Sequence, residues 1–201
     1  MRILAVSDVE AQRFYDYYVP GVLAEYDLIL ACGDLKPAYM EFLVTMARCP
    51  VLYIHGNHDE RFDTHPPEGC DCVDDCLYVY KGIRILGLGG SYCYRPGKYM
   101  YSEKQMRKRI RKLHRQIRKN KGFDILMTHA PARGLNDFDT LPHRGFECFN
   151  ELLEKYKPRY FIHGHIHMEY GHDVPRLTEL ENTTVINACG YYAFDYEEKK
   201  P

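Results

Sequence analysis

The sequence predicts an α/β fold, and three features of the chain support that prediction. Seven short apolar runs rich in Ile, Leu and Val alternate with longer segments of helical periodicity. The runs are almost continuously apolar, which is typical of buried, partly parallel strands that are covered on both faces. The chain has 201 residues and is 45% hydrophobic, enough for one sizeable core. We therefore expect a single domain over residues 1–201.

The predicted strands follow the apolar runs. They are Ile3–Val6, Leu28–Ala31, Val51–Ile54, Ile83–Leu88, Ile125–Met127, Tyr160–Ile162 and Val185–Ala188. Helical patterns occupy several of the gaps, at Ala11–Glu25, Ala38–Arg48, Ser102–Lys121 and Phe146–Lys155. The segment Glu60–Asp75 is rich in Pro, Gly, Asp and Cys, so we expect a loop there, close to the preceding strand end.

The predicted helix Ser102–Lys121 is the most basic stretch of the chain. Met106, Ile110, Leu113 and Ile117 recur at helical spacing and form one apolar stripe on a cationic helix. Such a helix can bind anionic surfaces or RNA, or it can be a surface helix whose stripe packs on the sheet. The balanced charge of the whole chain favours the second interpretation.

Charge and hydropathy exclude several classes of protein. The formal net charge is −1, so no global field indicates nucleic acid, although that partner is not excluded. No apolar run approaches the roughly 20 residues that a membrane span needs. Met1 and Arg2 lead directly into a predicted strand without a signal-peptide pattern. We expect a cytoplasmic protein with no membrane partner, and the oligomeric state stays open.

The eight cysteines are dispersed, and Cys32, Cys49 and Cys189 lie within apolar segments, so we expect free thiols. The sequence CDCVDDC, residues 70–76, can be a metal-binding knuckle or a surface loop. It lacks the usual C-x2-C spacing and an obvious fourth ligand, which favours the loop.

Side chains that can bind metal ions follow five of the predicted strands. They are Asp8, Glu10, Asp34, Asn57, His58, Asp59, His129, His163, His165 and His167. One such residue alone is usually a helix cap or a hydrogen-bonded interior side chain. Five occurrences at strand ends favour a site, because the carboxyl edge of an α/β sheet is where sites form.

The donor set combines carboxylates, an amide and imidazoles, with no thiolate. That combination suits Mn²⁺, Fe or Zn²⁺ better than a structural cysteine-type zinc site. The number of donors exceeds what one ion needs, so we expect two divalent ions, which together would clamp a phosphoryl group.

In these motifs the chain resembles the calcineurin-like metallophosphoesterase superfamily. The superfamily pattern is D-x-H, GD, GNHD/E, a histidine and GHxH. Its counterparts here are S-D-V-E at residues 7–10, G-D at 33–34, G-N-H-D at 56–59, T-H-A-P at 128–131 and G-H-I-H at 164–167. The resemblance implies a four-layer α/β/β/α sandwich, in which two stacked mixed sheets are flanked by helices.

The resemblance also implies a role for each position. Asp34 would bridge two metal ions. Asp8 and His167 would bind the first ion with residue 10 beside them, and Asn57, His129 and His165 the second. His58 would be the general acid or stabilise charge in the transition state, and Asp59 would orient His58. A hydroxide held by the two ions would attack phosphorus.

Glu10 departs from the pattern, which has histidine at that position. A carboxylate there either binds the first ion, directly or through water, or caps the following helix and leaves that ion weak or absent. We favour ligation or water-mediated contact. A third carboxylate at the first ion would then favour a hard ion such as Mn²⁺ or Mg²⁺ over Zn²⁺.

The expected activity is metal-dependent hydrolysis of a small phosphoester, with a phosphodiester favoured and nucleotides among the candidates. Mn²⁺ is the favoured cofactor, with Fe, Zn²⁺ and Mg²⁺ as alternatives. Arg133, His143 and Arg144 follow His129 and can contact phosphate oxygens, or the two arginines are solvated loop charges. The alternative function is a catalytically weak scaffold or binding protein.

Overall fold

The computed structural model describes residues 1–171 and 173–197, and two large sheets form its centre. The strands of the first sheet are β1 (Arg2–Ser7), β2 (Leu28–Ala31), β3 (Val51–Tyr53), β4 (Asp71–Cys72) and β13 (Gly190–Asp195). Those of the second are β5 (Cys76–Tyr80), β6 (Ile83–Leu88), β9 (Ile125–Thr128), β10 (Tyr160–His163), β11 (Leu177–Leu180) and β12 (Thr183–Asn187). The first sheet has the order β13-β1-β2-β3-β4, and the second has the order β11-β12-β10-β9-β6-β5.

Both sheets are mixed. β1, β2, β3 and β4 are parallel and β13 is antiparallel to β1. In the second sheet β6, β9, β10 and β12 are parallel, whereas β5 and β11 are antiparallel edge strands. A small parallel pair joins β7 (Ser91–Tyr92) to β8 (Met100–Tyr101). Because the inner strands run parallel within each sheet, their carboxyl ends lie at common edges.

The helices cover the outer faces of the two sheets. α1 (Pro37–Ala47) packs on the first sheet, and α2 (Glu103–Lys119) and α3 (Glu147–Tyr156) pack on the second. Alternate strand residues separate the layers: Leu4 and Val6 face α1, whereas Ile3 and Ala5 pack against residues of the second sheet. This is the predicted α/β/β/α sandwich, with three apolar clusters between its four layers.

All seven predicted strands are confirmed, with ends shifted by at most two residues, and three of the four predicted helices are confirmed. The prediction of a helix at Ala11–Glu25 is wrong, because only a 3-10 turn at Gln12–Phe14 forms there, followed by other turns. Pro20 and Gly21 interrupt the segment, and Gly21 adopts a φ of 92°. Phe14 and Leu23 are both buried in the core, so the segment shows an apolar pattern although no helix forms.

The segment Glu60–Asp75 is not entirely a loop, because a 3-10 helix covers Asp59–Asp63 and β4 extends the first sheet.

The cysteines are free thiols. Cys32 and Cys189 are buried as predicted, and Cys49 is half-buried. The described residues contain no candidate metal-binding group that includes Cys70, Cys72 or Cys76. None of the helices in the described ranges is both long and apolar enough to span a bilayer.

Candidate metal centre

The packing of the two sheets brings the strand-end side chains together. Asp34 follows β2 of the first sheet, whereas His129 and His165 follow β9 and β10 of the second. One ligand atom from each of these three residues lies within 4.8 Å of the other two. Asn57, which follows β3, joins them, because its Oδ1 is 3.1 Å from His129 Nε2. The central cluster therefore consists of Asp34, Asn57, His129 and His165.

The hydrogen bonds on the far sides of the imidazole rings orient both histidines. His129 Nδ1 donates to the carbonyl oxygen of Cys32 at 2.8 Å, and His165 Nε2 donates to that of Pro142 at 2.7 Å. In neutral rings the remaining nitrogens then direct their lone pairs inward. His129 Nε2 lies 3.2 Å from His165 Nδ1 and 3.4 Å from an Asp34 carboxylate oxygen.

This convergence of acceptor atoms fits a divalent cation. Two imidazole nitrogens, a carboxylate and an amide oxygen face one another. Mixed nitrogen and oxygen donors of this kind bind first-row divalent metals. Carbonyl groups that fix the second ring nitrogen are the usual partners of metal-binding histidines. The residues therefore fit the metal chemistry that their sequence order predicts.

The pKa values of His129 and Asp34 also indicate that the cluster attracts positive charge. Burial lowers the pKa of His129, but the charge of Asp34 and its hydrogen bond outweigh burial and raise that pKa to about 10. Burial also raises the pKa of Asp34, yet His129 holds it at about 2. The pKa of His165 falls to about 3, because burial and the neighbouring His129 both oppose its protonation.

Three of the candidate ligands occupy left-handed backbone conformations. The φ values are 63° for Asp8, 57° for Asp34 and 67° for His165. A residue with a side chain loses stability in this region, by about 1–3 kcal/mol, so it persists where the surroundings enforce it. Each of the three lies just beyond a strand end, where the turn aims the side chain at the centre.

Asp8 and His167 form a second group beside the central cluster. Asp8 Oδ2 accepts the backbone N–H of His165 at 2.9 Å, and Asp8 Oδ1 is 3.7 Å from His167 Nε2. Asp8 Oδ1 is buried and has no hydrogen-bond partner among the described residues. Burial raises the pKa of Asp8, and His129 offsets this only in part. An unpaired buried carboxylate oxygen is costly, so this position also fits a cation.

Glu10 follows Asp8 by two residues, and its carboxylate is bound to Lys36. Lys36 Nζ is 3.1 Å from Glu10 Oε1 and 3.2 Å from Oε2. The alternative interpretation, in which Glu10 caps a following helix, is wrong, because the segment forms only a 3-10 turn, and its N-cap, Ala11, makes no side-chain hydrogen bond. Lys36 was not predicted, and only its closeness in sequence to Asp34 could have indicated it.

Asp59 is fully buried and positions the backbone of the site. Its Oδ2 accepts the N–H of Gly56 at 2.7 Å and that of Asp34 at 2.8 Å, and its Oδ1 has no partner in the described part of the chain. The expected contact that would orient His58 is therefore not made. His58 is exposed at the rim, and its backbone N–H donates to Asp34 Oδ1 at 2.8 Å.

The three predicted substrate residues differ in their surroundings. Arg133 is occupied by ion pairs with Asp137 at 2.8 Å and Asp139 at 2.6 Å. His143 lies beside the centre, with its ring 5.7 Å from that of His165. Arg144 lies 5.7 Å from the ring of Tyr92, and its buried Nε has no partner among the described residues.

Sequence reasoning missed two further features of the site. Tyr170, in a 3-10 turn (Met168–Tyr170), stacks on His167 at 4.9 Å and contacts His143 at 4.7 Å. Gly56 and Gly164 allow close packing: a Cβ on Gly56 would lie 2.0 Å from Asp34 Oδ1, and one on Gly164 would lie 1.9 Å from Ser7 Oγ. Both glycines precede predicted ligands in GNHD and GHIH, which was the available signal.

The layered fold and the strand-end cluster define a metal-dependent phosphoesterase. Residues 1–169 match the family described as calcineurin-like phosphoesterase, and the chain belongs to that family. Family membership supports metal-dependent phosphoester hydrolysis in general and implies divalent metal ions.

The chain is similar to several proteins whose names state no substrate. A UPF0046 protein of Caenorhabditis elegans is 30% identical, covering 94% of this chain and 75% of its own. An uncharacterized protein of Haemophilus influenzae is 25% identical, covering 89% of this chain and 91% of its own. The crystal structure of TT1561 of Thermus thermophilus has a TM-score of 0.63 at 16% identity, with 94% and 88% of the chains covered, and shows the same fold.

Proposed function

We propose that the chain hydrolyses a small phosphodiester, with a nucleotide-type substrate favoured, using two divalent metal ions of which Mn²⁺ is preferred. The observation that carries this proposal is the convergence of His129 Nε2, His165 Nδ1 and the Asp34 carboxylate within 4.8 Å. Bound divalent ions would lower the pKa of water toward neutrality and neutralise charge on the phosphoryl group.

The residues divide between two metal positions. Asn57, His129 and His165 would hold one ion, and Asp8 and His167 the other, with the Asp34 carboxylate shared. The unpaired Asp8 Oδ1 supports the second position, because a buried carboxylate oxygen needs a cation or a donor. Glu10 would complete that position only by releasing Lys36.

His58 would donate a proton to the leaving oxygen. Its backbone N–H is bound to Asp34, so its position after the carboxyl end of β3 is fixed beside the centre. Its exposure at the rim leaves the imidazole accessible to substrate. Asp59 acts as a positioning residue, because its carboxylate joins the turns that present Asp34 and Asn57.

Substrate contacts would come from the segment after His129. Arg144 is the stronger candidate for phosphate oxygens, since its buried Nε lacks a partner within the described ranges. Arg133 would have to exchange Asp137 or Asp139 for phosphate. The rings of His143 and Tyr170 form an aromatic wall beside His167, which supports a substrate with a planar base.

A catalytically weak scaffold is the second candidate, and the Glu10–Lys36 ion pair favours it. That pair occupies the side chain that was expected to complete one metal position.

The experiment is hydrolysis of bis-p-nitrophenyl phosphate and p-nitrophenyl phosphate by metal-stripped protein, with Mn²⁺, Mg²⁺, Zn²⁺ or Fe²⁺ added back singly. We expect turnover to return with Mn²⁺, to favour the diester, and to disappear in His58→Ala and Asn57→Ala. Absence of turnover despite metal binding by calorimetry would favour the scaffold. Failure to bind any of these ions would contradict the assignment of the cluster.

A further inference from the structure

Positive charge is concentrated on α2, which covers the outer face of the second sheet. The helix contains nine Lys or Arg residues and one acidic residue, Glu103. The whole chain has 27 Lys or Arg and 28 Asp or Glu, so the remainder carries 18 cationic and 27 acidic residues. Although the net charge of the whole chain is near zero, positive charge is therefore concentrated on α2 and the rest of the chain is acidic.

Most of these cations are exposed and unpaired. Arg107 is bound by Glu103 and Glu151, and Arg109 by Asp74 and Asp75. The other seven are exposed and form no ion pair within the described part of the chain: Lys104, Lys108, Arg111, Lys112, Arg115, Arg118 and Lys119.

Five of the exposed cations form a ridge along one side of α2. They are Lys104, Lys108, Arg111, Arg115 and Arg118, with separations of four, three, four and three residues. That spacing repeats a cation about every 5.4 Å along the helix axis. A regular row of this kind matches a polymer of phosphates better than an isolated anion.

The ridge borders a basic groove made of three adjoining cavities that share Tyr156. Two of them, of about 230 and 530 Å³, lie between α2 and the end of α3, and a third, of about 510 Å³, extends to the amino ends of β6, β9 and β10. Cationic lining residues include Arg111, Arg115, Arg118, Lys121, Lys155 and Lys157. The acidic lining residues, Glu151 and Asp124, are ion-paired with Arg107 and Arg84.

Tyr156 gives the groove an aromatic floor. Its ring is half-buried, packs on Phe123 at 5.1 Å and lies 5.3 Å from the Lys155 ammonium. Proteins that bind single-stranded nucleic acid combine a cationic groove for the backbone with aromatic side chains that contact the bases.

The buried face of α2 disfavours a membrane as the partner. Met106, Ile110, Leu113 and Ile117 are at most 7% exposed and pack in the core. An interfacial helix needs its apolar face free to enter the lipid. In the described ranges, the exposed large hydrophobic residues all lie outside α2 and α3.

We propose that the basic groove and the ridge on α2 together bind single-stranded nucleic acid. The groove extends to the amino ends of β6, β9 and β10 and is lined by none of the proposed metal ligands, whereas the metal centre lies at the carboxyl ends of its strands. It is therefore a separate binding surface, and its existence does not depend on the proposed phosphodiesterase activity.

The test is fluorescence anisotropy of a labelled 12-nucleotide oligouridylate with the full chain at 50 and 200 mM salt, with oligonucleotide integrity checked on a gel. Arg115→Glu/Arg118→Glu removes two cations of the ridge. Arg13→Glu/Arg48→Glu is the matched control, because it changes net charge equally at exposed positions outside α2 and α3. Neither pair includes a residue of the metal centre.

We expect the ridge variant to bind about tenfold or more weakly at 50 mM salt, with a salt slope shallower by roughly 0.7 per lost cation. The control should change affinity less than about twofold. Absence of wild-type binding at 50 mM salt, or equal weakening in both variants, would overturn the proposal. Binding to phosphatidylserine vesicles without binding to the oligonucleotide would also overturn it.

Discussion

Lys36 Nζ lies 3.1 Å from Glu10 Oε1, so a lysine binds the side chain that stands where the family pattern has histidine. The ion pair withdraws a carboxylate from a proposed metal position. This weakens binding of a divalent ion at Asp8 and His167, because a charged donor is lost. The ion pair therefore gives a physical reason for unequal affinities at the two positions.

Replacing Glu10 with histidine should strengthen the weaker metal position. An imidazole is not attracted to Lys36, and it restores the donor of the family pattern. We expect Glu10→His to raise the affinity for the second equivalent of Mn²⁺ by about tenfold, measured by isothermal titration calorimetry, with a parallel rise in turnover.

Lys36→Met is the companion variant, because it releases Glu10 without changing the donor set. It should also raise the affinity for the second ion, whereas Lys98→Met, which breaks a different surface ion pair with Asp63, should not. If Glu10→His instead lowers the affinity for the second Mn²⁺ equivalent, Glu10 is itself a ligand of that ion.

Asp59 should affect stability more than proton transfer. Its buried carboxylate accepts two backbone N–H groups, and its removal would leave both unpaired. We expect Asp59→Ala to lower the free energy of unfolding by about 2–3 kcal/mol, measured by urea denaturation. The exposed neighbour Glu60 provides the control Glu60→Ala. Loss of turnover in Asp59→Ala with unchanged stability would restore the expected role of orienting His58.

The strands were predictable because their signal is local. Runs such as Leu28–Ala31 and Ile125–Thr128 are buried on both faces, and a continuous apolar run records that directly. The edge strands β5 and β11 were not predicted, and in β11 the polar residues Thr178 and Glu179 interrupt the apolar run.

The gathering of site residues was predictable in part, because parallel strands deliver their carboxyl ends to one edge. The Glu10–Lys36 pair was not, since it depends on how two turns meet in space. Arg109 is a similar case: it occupies a helix whose other cations are mostly exposed, yet it is only 8% exposed and bound to Asp74 and Asp75. Periodicity cannot reveal such long-range partners.

Gly164 should be required for the position of Asp8. A Cβ there would lie 1.9 Å from Ser7 Oγ and 2.6 Å from Asp8 Oδ2, so β1 or β10 would have to shift. We expect Gly164→Ala to lower the free energy of unfolding by about 1–3 kcal/mol and to weaken binding of one Mn²⁺ equivalent. Gly171→Ala is the matched control, because its Cβ would make only an ordinary contact, at 3.8 Å from Val174. Equal effects of the two substitutions would contradict the steric argument.

Asp74 should make stability depend on pH in the acid range. Its carboxylate contacts His55 Nδ1 at 3.0 Å, Arg109 at 2.7 Å, the Gly89 N–H at 2.7 Å and the Asp75 N–H at 3.0 Å. Burial raises the pKa of Asp74, but the hydrogen bond with His55 and the charge of Arg109 outweigh burial and hold that pKa below its ordinary value.

A carboxyl group with a lowered folded-state pKa stabilises the protein above its unfolded-state value, near 3.9, and loses that contribution as the pH falls. We expect Asp74→Asn to lower the free energy of unfolding by about 3 kcal/mol at pH 7, because it leaves Arg109 with a weaker buried partner. The difference from the wild type should shrink below about pH 4, as protonation removes the same charge from the wild type. Urea denaturation at several pH values measures this. A difference that stays constant from pH 7 to pH 3 would show that the Asp74 charge is not what stabilises this network.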